Sequence, residues 1–133
     1  MFPHTADVGL EIRAPDQETL FETAGEALCA LLAEPGGIAA REERRIEATG
    51  GDREELMVRW LSEILYLHEA EGFLARRFRV TTIASDRLEG IVAGEPYDPG
   101  RHVILAQIKA VTYHQIRVAR EQDGWSARVI LDV

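Results

Sequence analysis

The hydrophobic period of this chain switches repeatedly, and the order of the switches limits the folds open to it. Val8, Leu10 and Ile12 alternate with Asp7, Gly9, Glu11 and Arg13, which is the period-two pattern of a half-buried strand with Asp7 in the polar phase at its start. After Pro15, Asp16 is suited to cap a helix, because its carboxylate can accept a backbone N–H of the first turn. Leu20, Phe21, Ala24, Ala27, Leu28, Leu31 and Leu32 then fall at helical spacing, and Pro35-Gly36-Gly37 ends the run. Residues 42 to 49 read as a charged strand. Asp52, with Glu55 three residues on, makes a capping-box start for a second helix. Its buried stripe is Leu56, Met57, Trp60, Leu61, Ile64, Leu65 and Leu67, and Gly72 stands where a left-handed stop belongs.

Beyond Gly72 the pattern is strand after strand. Phe78, Val80, Thr82 and Ala84 alternate with Arg77, Arg79, Thr81 and Ile83, and Ser85-Asp86-Arg87 turns the chain into a strand over 88 to 95. Glu95-Pro96-Tyr97-Asp98-Pro99-Gly100 reads as a loop, since prolines cannot continue a ladder. Residues 102 to 113 are apolar enough to predict a central strand buried on both faces for much of its length. Asp123-Gly124 is the strongest short hairpin signal, and the last strand sets Trp125, Ala127, Val129, Leu131 and Val133 against Ser126, Arg128, Ile130 and Asp132. The expected fold is α+β: β-α-β-α followed by a mainly antiparallel meander, with two helices packed on the sheet, in one domain over residues 1 to 133.

A chain of 133 residues can bury enough surface to hold such a fold without staples. The single Cys29 can form neither an internal disulfide nor a Cys-rich zinc site, which suits a reducing compartment. Met1-Phe2-Pro3-His4 lacks a basic leader, and the longest apolar run, Ala27 to Ala33, is too short to span a bilayer. A cytoplasmic, membrane-free protein is expected. With a formal net charge of -8, stable direct binding of nucleic acid is not expected, because phosphate binding is driven by cations. A cationic protein or a metal ion suits the charge better. Lys109 is the only lysine.

No phosphate-binding loop, nucleophile elbow or zinc-protease helix is present. His68, beside the second helical stripe, reads as a partly buried, hydrogen-bonded structural histidine, and Cys29 as an inert buried thiol. Arg76, Arg77 and Arg79 around Phe78 could touch RNA, but on an otherwise acidic chain a solvated strand face accounts for them better. Glu95, Asp98 and His102 bracket a turn. They could ligate an ion, but turns collect such residues for conformational reasons. The chain ends offer more. If the first and last strands meet, Asp7, Asp132 and the α-carboxylate of Val133 converge, and charges that close call for a cation between them. Oxygen-only ligands favour Ca²⁺ or Mg²⁺ over zinc or copper.

The segments His4-Thr5-Ala6-Asp7-Val8-Gly9, Trp60-Leu61-Ser62-Glu63-Ile64-Leu65-Tyr66, Gly94-Glu95-Pro96-Tyr97-Asp98 with Arg101-His102, Ile108 to His114, and Trp125 to Val133 occur in one order from end to end. Together they resemble the archease pattern. That resemblance implies an accessory protein, not an enzyme, which assists the GTP-dependent RtcB-type RNA ligase of tRNA splicing and RNA repair by promoting its guanylylation and repeated turnover. It also implies a divalent metal, Ca²⁺ above others, held by Asp7, Asp132 and Val133. His4, Lys109 and His114 are then candidates for the docking surface, with structural hydrogen bonds the alternative for each. Two rivals remain: a chaperone or modulator of another RNA-processing enzyme such as a tRNA methyltransferase, and a hydrolase or nucleotidyl carrier using Lys109 as nucleophile.

Overall fold

A computed structural model describes residues 7–133 of the chain. The elements run β1 (Asp7–Ala14), α1 (Gln17–Leu32), β2 (Glu42–Thr49), α2 (Arg53–Glu71), β3 (Phe73–Ile83), β4 (Arg87–Pro96), β5 (Ala110–Val111), β6 (Arg117–Glu121) and β7 (Gly124–Asp132), with a single 3₁₀ turn at Pro35–Gly37. This is the α+β order expected. The strands form two antiparallel sheets: β2-β4-β3, and a second in which β7 pairs with β1 along one edge and with β5 and β6 along the other.

Both helices begin and end where local chemistry dictates. Asp16 Oδ1 accepts the Thr19 N–H at 2.7 Å and Asp52 Oδ1 accepts the Glu55 N–H at 2.8 Å, each satisfying an orphan donor of a first turn. Glu55 reaches back to the Gly51 N–H at 2.6 Å, and Gly72 closes α2 at φ 65, in the left-handed region that glycine enters at little cost. Helix α1 packs on β1 and β3, and α2 packs on β2 and β3. Their apolar stripes join the inner faces of both sheets in one core containing Phe21, Trp60, Leu88, Val92, Val129 and Leu131. Each such side chain contributes roughly 1.5–3 kcal/mol by leaving water. Trp60 is wholly buried, and its indole N–H donates to the Phe21 carbonyl at 2.8 Å.

Three expectations need correction. Residues 102 to 113 do not form a central strand: only Ala110–Val111 joins the sheet, and Val103, Ile104 and Leu105 are 56%, 41% and 50% exposed. The segment instead crosses the end of α1, where the Glu34 N–H donates to the Val103 carbonyl at 3.0 Å and the Leu105 N–H to the Leu32 carbonyl at 2.8 Å. β6 occupies the edge of β7 opposite residues 124 to 128, and beyond it β5 pairs only with Leu131 and Asp132. Strand β3 also starts at Phe73, ahead of the alternation at Phe78, because register shifts after Ala75 and Val80 interrupt its period. Finally, β4 runs on through Pro96, which closes the ladder opposite Phe73 instead of lying in a loop.

Candidate functional site

The β1–β7 register places Asp7 directly opposite Asp132. Opposed residues on neighbouring strands point to the same face with Cβ atoms about 5 Å apart, and like charges in that relation repel. On its other side Asp132 is opposed by Ala110, and its carbonyl accepts the Lys109 N–H at 2.7 Å. The side-chain Oδ1 of Asp132 is buried and has no hydrogen-bond partner among the described residues. An orphaned carboxylate oxygen is costly unless a cation or donor satisfies it. Val133, half-buried, follows at once.

Two aspartates and a terminal carboxylate are hard oxygen donors of the kind Ca²⁺ and Mg²⁺ accept. Among the described residues no three His, Cys, Asp or Glu side chains gather into a ligand set. A complete shell at this edge therefore needs the terminal carboxylate, backbone carbonyls or water besides the two aspartates. The donor chemistry and the orphaned Oδ1 fit a divalent ion.

The proposed docking residues are placed unequally. Lys109 is exposed, tied to the aspartate edge by its backbone. His114 is exposed on the turn after β5, where its N–H donates to Thr112 Oγ1 at 3.2 Å, and that hydroxyl in turn donates to the Ile130 carbonyl at 2.9 Å. His4 lies outside the described residues.

Glu95, Asp98 and His102 form a closed internal network instead of an open ligand set. Glu95 Oε2 accepts the Ala39 N–H at 2.7 Å and meets His102 Nε2 at 2.9 Å, while Oε1 accepts Arg41 Nε at 3.0 Å and also pairs with Arg101. The Ala39 N–H, then His102, with Arg101 adding to them, hold the Glu95 carboxyl down at about 2 despite its burial. The Asp98 N–H donates to His102 Nδ1 at 2.8 Å, an acceptor role that puts the ring proton on Nε2. Asp98 accepts the Gly100 N–H at 2.9 Å and lies 3.4 Å from Arg101 Nε. Every one of these contacts serves the loop after β4, and sequence spacing carried no sign of the Arg41 and Ala39 contributions from more than fifty residues away.

Cys29 is half-buried against the core, not fully enclosed, and desolvation pushes its thiol up to about 12, away from the reactive thiolate. His68 departs from expectation. Its Nδ1 is buried without a hydrogen-bond partner among the described residues, and burial lowers its pKa. On α2 it looks onto apolar neighbours of β3 and α1, which offer no acceptor. No helix of the described residues is long and apolar enough to cross a membrane.

Comparison with known proteins gives a uniform result. Residues 1–133 match the family model described as "Archease protein family". A protein archease of Methanopyrus kandleri is 39% identical over 133 residues, spanning 98% of this chain and 95% of its own. That of Pyrococcus furiosus is 35% identical over 136 residues, covering 99% and 96%. The solution structure of a Methanobacterium thermoautotrophicum protein superposes with TM-score 0.82 at 35% identity, covering 99% of this chain and 96% of that one. A Thermotoga maritima crystal structure, described as an archease and possible chaperone, shares the fold with TM-score 0.69 at 23% identity, covering 100% and 95%.

Proposed function

This chain belongs to the archease family, and from that premise we propose that it is a non-catalytic accessory of an RtcB-type RNA ligase, acting in the cytoplasm to promote guanylylation of the ligase and its repeated turnover. The observation that supports this reading is the apposition of Asp7 and Asp132, with a buried Asp132 oxygen that lacks a partner among the described residues. Asp7, Asp132 and the Val133 carboxylate would hold a divalent ion, Ca²⁺ in the first place. Such an ion supplies positive charge against which phosphate charge is stabilised.

The chain's own residues do the rest. The β1–β7 ladder sets the two aspartates opposite each other, and Lys109, just before β5, braces the Asp132 backbone by donating its N–H to the Asp132 carbonyl. Lys109 and His114 stand exposed near that edge as contacts for the ligase. A net charge of -8 speeds encounter with a partner that is basic where it holds RNA, and salt screens that attraction.

One observation favours a second reading. Val103, Ile104 and Leu105 form an exposed aliphatic run on a backbone held to α1, and such patches mark protein contacts. That suits a chaperone or modulator of another RNA-processing enzyme, such as a tRNA methyltransferase. Ligase turnover separates the two. Added wild-type protein is expected to raise multiple-turnover ligation, and Asp132→Asn to lose most of the gain. No gain with the wild type removes the ligase reading, and a full gain with the variant removes the aspartates' part in it.

A further inference from the structure

The outer face of the β2-β4-β3 sheet carries arginines that no ion pair among the described residues neutralises. Across the three strands Arg45, Ile91 and Arg79 form one row, and Glu43, Ala93 and Arg77 form the next. Strand alternation sends Ile46, Phe78, Val80 and Val92 into the core and leaves those rows outside. The register shift between Ala75 and Arg77 makes Arg76 and Arg77 both exposed, adding a fourth guanidinium to the edge.

The acids around this face are engaged elsewhere. Glu47 and Glu89 lie 3.8 and 3.3 Å from Arg87, and Glu42 and Glu71 lie 3.2 and 3.7 Å from Arg44. None of the ion pairs among the described residues involves Arg45, Arg76, Arg77 or Arg79. Glu43 is the one carboxylate left in the two rows. On a chain of net charge -8 this is a local reversal of sign. Between the arginines lies an open depression of about 400 Å³, floored by Ile91 and Ala93, with Arg77 and Arg79 on its walls and Glu43 beside them.

We propose that this face binds the phosphodiester backbone of single-stranded RNA. Planar guanidinium forks match phosphate oxygens bidentately and stack on bases, and an apolar floor accepts a base or ribose face where a purely acidic peptide would find no use for it. The choice of RNA over other polyanions rests on the ligase reading above, whose protein would hold substrate with one sheet and meet the ligase with the other. The contact is local and weak, because the rest of the surface repels phosphate.

The test uses the isolated protein without ligase, in a chelator, so that the aspartate edge takes no part. Anisotropy of a labelled single-stranded oligoribonucleotide is expected to show binding that weakens with salt, with a log–log slope of about -2 to -3 for three to four phosphate contacts at roughly 0.7 each. Arg45→Gln/Arg77→Gln/Arg79→Gln should weaken binding at least ~tenfold and bring the slope to about -1 or shallower. Amide chemical shifts of the wild type, which need no variant to fold, should move in β2, β3 and β4 on adding RNA. Absence of binding by the wild type, equal binding by the triple variant, or shifts confined to β1 and β7 would each overturn the proposal. Binding of a polyglutamate peptide with RNA excluded would overturn it too, assigning the face to an acidic protein segment. Loss of ligase activation with RNA binding intact would count against the ligase reading alone.

Discussion

His102 Nε2 lies 2.9 Å from Glu95 Oε2 with both side chains fully enclosed. The pair, with Ala39 and two arginines, ties the loop after β4 to the segment after α1. The folded Glu95 carboxyl sits at about 2 against an ordinary 4.5, so its ionised form is favoured by folding. The stability it contributes is present above the ordinary value and is lost as pH falls from about 4.5 toward 2. Thermal unfolding followed across that window should show a steeper fall in Tm for wild type than for Glu95→Gln. Asp16 and Glu121, also lowered, titrate alike in both proteins and cancel in the difference. Parallel curves would contradict the assignment.

Trp60 joins the two helices through a polar bond inside an apolar core. Trp60→Phe takes the indole donor from the Phe21 carbonyl, which keeps only its intrahelical partner, and removes volume from a closed core, at a cost of about 1–3 kcal/mol. Urea unfolding should report a loss in that range. A loss below about 0.5 kcal/mol would mean that water replaces the indole N–H.

Gly94 sits opposite Ala75, where the β3 register slips. A Cβ there would lie 1.8 Å from the Leu74 carbonyl oxygen, whereas one at Gly36 would meet nothing within 4 Å. Gly94→Ala should destabilise by about 3 kcal/mol or more, since backbone must move to admit it. Gly36→Ala should change stability by less than about 0.5 kcal/mol. Equal effects in urea unfolding would refute the close approach.

The opposition of Asp7 to Asp132 also has a signature without any partner. In a chelator, Asp7→Asn removes a repulsion between directly opposed like charges and should stabilise the fold by roughly 0.2–1 kcal/mol. In Ca²⁺ the sign should reverse, because the variant loses a ligand. A variant less stable than wild type in both conditions would speak against the repulsion.

Much of this arrangement was legible beforehand where the signal is local. Asp16, Asp52, Glu55 and Gly72 announce helix ends because caps act within one turn, and the clean alternation of the first and last strands put Asp7 and Asp132 in their polar phases. Segment 103 to 105 was misread because apolar content cannot distinguish a buried strand from an exposed run whose backbone is satisfied by the end of a helix. The Glu95–His102 network was read as a turn since its other members, Ala39 and Arg41, arrive through tertiary folding. Of the arginine face, Arg76, Arg77 and Arg79 were visible as a local cluster, whereas Arg45 joins them only through the pairing of β2 and β3 with β4.

Calcium binding measured by titration calorimetry on wild type, Asp132→Asn and a chain with an amidated C-terminus tests the central claim most directly. The wild type should bind, and each altered chain should bind at least ~tenfold more weakly, since even indirect support of a ligand is worth that much. A wild type that takes up no divalent ion, or three chains of equal affinity, would contradict it.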